Sequence, residues 1–434
     1  MKFGGTSIGG AAAVRQAVGI VASQLEREPV VVVSAHVGVT DSLLDAARHA
    51  ADVESGIDDI VTWHRAILRD LNLDAGLLDA LLDELRDLGR GLRLVGQVTP
   101  KLTDVIASYG ERLSARVVAA ALTAAGTIAT PVDAFKAGLR TDSKFGRARP
   151  APDDELIRRS LSGVRGVPVV TGFLGADEQG NITTLGRNGS DFSAALIGAA
   201  IGAEEVQIWT DVDGVHTADP RIVPAARSIR RMSFADVADL ASFGSTVLHP
   251  AALEPLRQAG IPLRVRSTLA PTAVGTTVAA AVDGDRPVVR AIAHRDDVAM
   301  ITLRSQRLVP QRAFLSKVFR CLDEIGCDTG PVAVGEAAVT IAVETARVEL
   351  AVQELAGHAD VEAAVGRAVV GIIGDAALTD YGGIVGVLGV LERAGVNAEC
   401  AGLGSLGSVV AFSVTSGQLA ETVQSLHSHL FSDS

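Results

Sequence analysis

The stretch from residue 171 to residue 221 constrains the fold of this chain more than any other. It opens with an apolar run, continues through the turn-forming segment GADEQGN, and reaches LGRNGSD just before an alanine-rich apolar run. This order predicts a strand, a turn, a short strand, a loop and then a helix, with Ser190 or Asp191 as its N-cap and its end near Gly202. A strand at 206–210 and the loop TDVDGVHTADPR follow. Because the N-terminus of a helix exposes free N–H groups, the stretch predicts an anion-binding site.

Each piece of this stretch also has an ordinary interpretation. GRNGS alone is typical of a connecting loop. DVDG resembles part of a calcium loop, but the glutamate ligand expected further along is missing, which argues against a metal-only site. The order of the pieces therefore carries more information than any single one.

Strands and helices alternate throughout residues 1–284. The run PVVVVSA at 29–35 is typical of a buried strand, and apolar residues that recur three and four positions apart predict three helices over 57–125. The chain is 48% hydrophobic but only 3% aromatic, which suits valine-rich strands buried under helices. The pattern predicts an α/β fold with a doubly wound, mainly parallel sheet.

Composition excludes several classes of function. The net charge is −12 and no basic block occurs, which argues against a nucleic-acid partner. No apolar run reaches the roughly 20 residues that span a bilayer, and the start MKFGGTS lacks the apolar core of a signal peptide. The three cysteines show no metal-site spacing, so we expect reduced core residues in a cytoplasmic protein.

Four further segments carry candidate chemistry. Successive glycines at Gly4–Gly5 let backbone N–H groups converge on phosphate oxygens beside the charge of Lys2, although GGTS alone is weak evidence. His36 could be a ligand or base, but a loop histidine without a visible carboxylate partner is more often passive. Glu111 and Arg112 could form no more than a surface ion pair. The basic loop at 140–149 indicates a nearby anion or a solvated loop.

The texture of the chain changes near Gly284. The order strand, helix, strand, strand, helix occurs twice, which indicates two small ferredoxin-like units. The predicted domains are a catalytic domain at 1–284 and two smaller units at 285–366 and 367–434.

Eight segments together resemble one known family, the aspartokinases of the amino-acid kinase superfamily. They are KFGGTS, SAHVGVTD, GERLSA, RTDSKFGRA, TTLGRNGSDFSAAL, WTDVDGVHTADPR, FGSTVLHP and IPLRVRST. The paired C-terminal units resemble that family's ACT domains. The resemblance implies an amino-acid kinase fold followed by two βαββαβ ACT units. It also implies transfer of the ATP γ-phosphate to the β-carboxylate of L-aspartate, which gives 4-phospho-L-aspartate.

The same resemblance implies roles for individual residues. Lys2 and Asp191 would be catalytic, with Asp191 orienting the lysine. The residues implied to bind L-aspartate are Thr40, Glu111, Arg187 and Ser190. The residues implied to bind ATP are Lys2, Gly4, Gly5, Ser34, Thr210, Asp211, His216, Arg221, Thr246 and Val247. Mg²⁺ would arrive on the ATP phosphates without a metal site of the protein's own, and the ACT units would join a homodimer or homotetramer.

The chain departs from the family pattern at several positions. Thr246 stands where a lysine is usual, and His216 stands where a tyrosine is usual. The effector motif of the ACT units is blurred to Val334-Gly335-Glu336 and Leu403-Gly404-Ser405, which puts lysine or threonine feedback in doubt. Only Met1 precedes Lys2, so a truncated first strand or a misassigned start codon is expected.

Two hypotheses of different class follow. The first is an active aspartate kinase, including a copy specialised for a dedicated pathway. The second is a catalytically weakened paralogue that binds an amino acid or nucleotide as a sensor. Retention of the catalytic and substrate-side residues favours the first.

Overall fold

The computed structural model describes residues 1–49, 53–243, 248, 250–280, 288–305, 311–335, 338–375, 381–403 and 409–431. The elements up to residue 210 are β1 (Lys2–Phe3), α1 (Ala11–Ala22), β2 (Val31–Val33), α2 (Val39–Arg48), α3 (Val53–Asp70), α4 (Asp79–Val95), α5 (Pro100–Ala124), β3 (Ala129–Val132), α6 (Asp154–Ser162), β4 (Val167–Thr171), β5 (Leu174–Ala176), β6 (Ile182–Thr184), α7 (Gly189–Ile201) and β7 (Val206–Thr210). The later elements are β8 (Arg231–Ser233), α8 (Phe234–Ser242), α9 (Pro250–Ala259), β9 (Leu263–Ser267), β10 (Thr276–Ala279), β11 (Val289–Arg304), α10 (Gln311–Glu324), β12 (Thr329–Val334), β13 (Ala338–Glu344), α11 (Val348–Leu355), β14 (Asp360–Gly374), α12 (Tyr381–Arg393), β15 (Glu399–Leu403), β16 (Val409–Thr415) and α13 (Leu419–Leu430).

Two compact units divide these elements. The first contains residues 1–215 and 251–280, and the second contains residues 216–250 and 281–434. In the first unit, the described strands of the main sheet lie in the order β3-β4-β2-β1-β7-β9-β10. All neighbours are parallel except β9 and β10, which are antiparallel. This confirms the predicted mainly parallel α/β sheet.

Strand β1 shows how helices cover the two faces of this sheet. The side chain of Phe3 packs with residues of α1, α5 and β7 in one buried core. The side chain of Lys2 faces α7 instead, where it contacts Asp191. Because successive side chains of a strand point to opposite faces, α7 covers the face opposite α1 and α5.

Helices α2 to α5 form a second core beside the sheet. Their leucines, isoleucines and valines recur three and four positions apart and are buried against one another, as the three helices predicted over 57–125 require. Helix α5 belongs to both cores, since its later turns contribute Ala115, Val118 and Leu122 to the sheet core. It is therefore held on several sides, which makes it a rigid support for polar groups.

The second unit has one antiparallel sheet in the order β12-β13-β11-β14-β16-β15. Two long strands run through it, and the register between β11 and β14 shifts near Arg295 and Val298. Residues on the two sides of this shift belong to different cores, one packed with α10 and α11 and the other with α12 and α13. Each core therefore uses half of each long strand, as two fused ferredoxin-like units would.

The repeat in the sequence does not show that the two cores share strand β11. The strand that borders β14 in the C-terminal core is the first half of β11, at 289–295, which precedes the other core in the chain. The domain limits at 284 and 366 remain a prediction.

Candidate active site

Four parallel strands end at the same edge of the first unit's sheet. In register, Lys2 lies beside Val32 and Ile208, and Phe3 lies beside Val33 and Trp209. The residues that follow these strands are Gly4, Ser34, Gly172 and Asp211. Because the carboxyl ends of parallel strands are where α/β sheets bind ligands, this edge is the candidate site.

A buried ion pair lies at the centre of this edge. The Nζ atom of Lys2 is 2.6 Å from Oδ1 of Asp191, and about a tenth of each side chain is exposed. Asp191 lies in the first turn of α7, where the helix dipole also favours a negative charge. The sequence indicated both residues, and the structure brings them together.

Helix α7 starts two or three residues earlier than the sequence predicts. The helix begins at Gly189, and its N-cap is Asn188 rather than Ser190 or Asp191. Asn188 has φ +56°, a left-handed conformation that asparagine tolerates better than most residues. Ser190 and Asp191 therefore lie inside the first turn, while the end at Ile201, with Gly202 as C-cap, is confirmed.

The Gly4–Gly5 turn passes close to two neighbouring strands. The N–H of Gly4 donates to the carbonyl of Trp209 at 3.3 Å, and the hydroxyl of Ser7 donates to the same oxygen at 3.0 Å. A Cβ atom on Gly5 would lie 3.0 Å from the carbonyl oxygen of Ala35. A side chain at Gly5 would push the turn away from β2, so glycine keeps this backbone at the strand ends.

Glu111 approaches the same edge from α5. It is 3% exposed, and its Oε1 accepts a hydrogen bond from the N–H of Ala35 at 2.9 Å. Within the described part of the chain, its Oε2 has no hydrogen-bond partner. Burial raises the pKa of Glu111 to about 8, although the Ala35 N–H and the charge of Lys2 oppose the shift. The alternative of a surface ion pair with Arg112 is wrong, because Arg112 pairs with Glu84.

The other residues implied to bind the amino acid lie in α2 and at the start of α7. The Oγ1 of Thr40 lies 3.7 Å from where a Cβ of Gly110 would be, so Thr40 borders the turn of α5 that carries Glu111. Ser190 packs against Gly172, since a Cβ there would lie 2.7 Å from its side chain. Arg187 is exposed at the entrance to α7.

The residues proposed to bind nucleotide are spread more widely. Thr210 ends β7, and its hydroxyl donates to the carboxylate of the exposed Asp211 at 3.0 Å. His216 and Arg221 belong to the second unit. Thr246 and Val247 lie outside the described residues, as do Glu336, Gly404 and Ser405 of the effector motifs.

The segment after His216 is packed within the second unit. Arg221 is 88% exposed and forms a 2.7 Å ion pair with Asp219, which lowers the pKa of that carboxyl. Thr217 joins the segment to the C-terminal helix α13, with 2.9 Å between its hydroxyl and Nε2 of His427. Ala218 and Val223 complete the core beneath α12 and α13. Sequence reasoning did not find this attachment, because its partners are some 200 residues apart.

His36 is not exposed in its loop. It is 1% exposed, and its Nδ1 lies 2.5 Å from the carbonyl oxygen of Ile8. Its ring also contacts Trp63 and His64, with centroids 5.1 and 5.5 Å away. Burial lowers the pKa of His36 to about 3, and the neighbouring His64 adds to the shift. A neutral histidine held by a backbone carbonyl favours the passive interpretation.

Asp104 is a buried carboxylate that sequence reasoning missed. It is 2% exposed on α5 and lies seven residues before Glu111, which is two turns along the same helix face. It accepts hydrogen bonds from Gly146 and Thr184, so it ties the basic loop at 140–149 to β6. The seven-residue spacing was the signal that could have revealed it. Lys144, Arg147 and Arg149 of this loop are exposed.

Comparisons with known proteins agree with this geometry. The profile of the amino acid kinase family matches residues 1–267. The chain is 32% identical to aspartokinase 1, chloroplastic, of Arabidopsis thaliana, with 99% of this chain and 80% of that protein covered. It is 33% identical to lysine-sensitive aspartokinase 3 of Escherichia coli K12, with 99% and 98% covered. The crystal structure of E. coli aspartokinase III in complex with aspartate and ADP is similar over 99% of both chains, with a TM-score of 0.86 and 32% identity.

None of the helices that the structure describes is both long enough and apolar enough to cross a membrane.

Proposed function

The chain belongs to the amino acid kinase family, within it to the aspartokinases, and on this premise we propose how its residues carry out the reaction. The activity is that of an aspartate kinase: the γ-phosphate of ATP passes to the β-carboxylate of L-aspartate, and 4-phospho-L-aspartate and ADP result. The observation that carries the assignment to this site is the buried Lys2–Asp191 pair at the carboxyl edge of the sheet.

Lys2 supplies the positive charge that two reacting anions require. A carboxylate must approach a triphosphate, so catalysis depends on cations and N–H donors placed where negative charge accumulates. Asp191 holds the Lys2 ammonium within 2.6 Å and fixes its direction. The Gly4–Gly5 turn leaves room for phosphate oxygens beside that ammonium, because a Cβ on Gly4 would lie 3.5 Å from Nζ of Lys2.

The substrate's other groups have matching partners. Glu111 suits the α-ammonium, because its Oε2 is buried and has no other partner among the described residues. Arg187 suits a two-point grip on the α-carboxylate. Thr40 and Ser190 border these groups with hydroxyls that can donate or accept. The β-carboxylate has a pKa of about 4, so it is already ionised and requires no general base.

The nucleotide side is proposed to include Thr210 and Asp211 at the end of β7, with Ser34 at the end of β2, on the other side of β1. His216, Arg221, Thr246 and Val247 complete the proposed set. Mg²⁺ bound to the ATP phosphates would neutralise part of their charge. Across the described residues, no three histidine, cysteine, aspartate or glutamate side chains are grouped to hold a metal ion. Mg²⁺ usually keeps several waters and binds through substrate phosphates, and the same is proposed here.

The decisive experiment offers acidic amino acids with MgATP and traps acyl phosphate with hydroxylamine. We expect hydroxamate with L-aspartate and far less with L-glutamate. Hydroxamate from glutamate but none from aspartate would contradict the proposed substrate.

The sensor alternative is not favoured, since the ion pair and the buried glutamate are both present. A cytoplasmic homodimer or homotetramer joined through the ACT units is also proposed. Sedimentation of the full chain tests it.

A further inference from the structure

Helix α5 presents two buried carboxylates to the site. Asp104 and Glu111 are 2% and 3% exposed, and they lie two turns apart on one face of the helix. Glu111 is accounted for by its contact with Ala35 and by the proposed ammonium site. Asp104 has no part in that mechanism, yet burying a carboxylate costs free energy unless hydrogen bonds compensate for the lost hydration.

Three hydrogen bonds satisfy Asp104. Its Oδ2 accepts the N–H groups of Gly146 and Thr184, each at 2.9 Å. Its Oδ1 accepts the hydroxyl of Thr184 at 2.9 Å. Burial raises the pKa of Asp104, and these same bonds act against the rise. The carboxylate thus joins two segments that are nearly 40 residues apart in sequence.

Each of these two segments leads to an arginine, Arg147 in one and Arg187 in the other. A Cβ on Gly186 would lie 3.4 Å from the carbonyl oxygen of Gly146 and 3.5 Å from Cγ of Arg147. The stem of Arg147 therefore passes over Gly186, directly before Arg187. The N–H of Ala148 donates to the carbonyl of Thr184 at 2.8 Å, which continues the joint on the other side.

We propose that Asp104 is a positioning residue that holds Arg147 beside Arg187, so that two cations face a substrate with two carboxylates. The proposal rests on the proposed aspartate kinase function, in which Arg187 grips the α-carboxylate. Arg147 and Arg187 are both exposed and extend from segments that Asp104 fastens together. Without the carboxylate, the loop at 143–149 keeps its bonds at Ser143 and Ala148 but loses the one at Gly146, directly before Arg147.

The test compares Asp104→Asn with a matched buried carboxylate. Asp177 is 1% exposed and accepts the N–H groups of Gln179 and Asn181 in its own turn. It also accepts the side-chain amide of Asn181 and the hydroxyl of Ser143, so it holds the start of the same loop without touching Gly146 or Thr184. Asp104→Asn should raise the aspartate KM about ten- to a hundredfold, the range that loss of a charged hydrogen bond spans. It should change both the ATP KM and kcat by less than about twofold. Asp177→Asn should leave both KM values near those of the wild type.

Hydrogen exchange of the full-length protein supplies a readout that does not need activity. The amides of Gly146 and Thr184 should exchange faster in Asp104→Asn and remain protected in Asp177→Asn. If Asp104→Asn fails to fold, Thr184→Val can be used instead, because it removes the hydroxyl bond to Asp104. Thr184→Ser keeps that hydroxyl and should keep the wild-type aspartate KM. Arg147→Ala should raise the aspartate KM without changing exchange at Thr184.

The outcomes test the positioning role of Asp104 and the proposed aspartate kinase function separately. Unchanged protection of Gly146 and Thr184 in Asp104→Asn would overturn the positioning role, whatever the substrate. Equal rises in the aspartate and ATP KM values would assign Asp104 a general structural role instead. Failure of the wild type to form hydroxamate from aspartate would overturn the proposed function, while the exchange result would still decide whether Asp104 fastens the loop.

Discussion

Replacement of Glu111 by glutamine should stabilise the protein and impair it at the same time. Glutamine has nearly the same shape and can still accept the N–H of Ala35, the 2.9 Å contact of the native Oε1. It cannot ionise. The comparison between the two side chains therefore isolates the charge of one buried group, 3% exposed.

The size of the effect follows from the pKa of the carboxyl. Burial raises the pKa of Glu111 from 4.5 to about 8. Between these two values the folded chain holds one more proton than the unfolded chain, so this group lowers the free energy of unfolding by about 1.4 kcal/mol per pH unit as pH rises. Its contribution is complete below the unfolded pKa and is lost as pH rises through the folded one. From about pH 6 to pH 8, the wild type should lose roughly 2–3 kcal/mol that Glu111→Gln keeps.

Activity should change in the opposite direction. If the α-ammonium of aspartate binds the ionised carboxylate, Glu111→Gln loses a charged contact and its aspartate KM should rise about ten- to a hundredfold. In the wild type the aspartate KM should fall as pH approaches 8, because more of the free enzyme is then ionised. Binding below that pH should also release a proton, which calorimetry in two buffers of different ionisation enthalpy measures directly.

Ser114→Ala is the matched control for this experiment. Ser114 lies on the same helix, and its hydroxyl donates to the carbonyl of Ser34 at 2.6 Å, so it supports the same strand end without a titrating group. It should shift the melting temperature equally at every pH. A constant difference in melting temperature between the wild type and Glu111→Gln from about pH 5 to pH 9 would refute the raised pKa. An unchanged aspartate KM would refute the ammonium role.

Two further predictions concern other buried ionisable groups. Lys2→Met and Asp191→Asn should each lower kcat by far more than tenfold with the fold retained at moderate temperature; a variant that keeps over a tenth of wild-type kcat would limit that residue's contribution to about 1.4 kcal/mol and contradict its role. Isosteric replacements are needed because each partner is buried, and an unpaired buried charge would itself cost about 3–5 kcal/mol. The protein should lose stability as pH falls below about 6.5. Burial lowers the pKa of His64 to about 4 and the pKa of His36 to about 3. The neutral rings therefore stabilise the fold fully above the unfolded pKa of about 6.5, and this stability is lost as pH falls towards the two folded pKa values. His64→Leu should reduce this acid sensitivity in melting curves, and an identical loss in both proteins would assign it to other groups.

The sequence predicts the layers of the fold and the centre of the site for a physical reason. Buried valine strands and helices of regular period are local patterns, and the Gly4–Gly5 turn and the start of α7 lie next to strands that the pattern also reveals. Their meeting follows from parallel pairing, since parallel strands end at a common edge. The pairing of Lys2 with Asp191 itself comes from the resemblance to the aspartokinases, and parallel pairing explains why both residues lie at this edge.

The contacts that sequence reasoning missed depend on distant partners. Apart from its seven-residue spacing from Glu111, nothing local to Asp104 distinguishes it from a solvated helix residue, because its donors lie about 40 and 80 residues further along the chain. The sharing of β11 between two cores is equally hidden, since a continuous strand of 16 residues gives no sign of where its register shifts. The burial of Asp104 and the register shift of β11 both depend on contacts that form only in the folded chain.

Helix α5 explains why these missed contacts matter for the reaction. Three of its polar residues hold two pieces of the site: Asp104 holds Gly146 and Thr184, while Glu111 and Ser114 hold Ala35 and Ser34 at the end of β2. The helix spans 25 residues and is packed into two hydrophobic cores, so it cannot shift to follow one loop without disturbing the others. A substitution that loosens one of these bonds should therefore act on its own loop alone, while one that moves the helix should disturb both pieces at once.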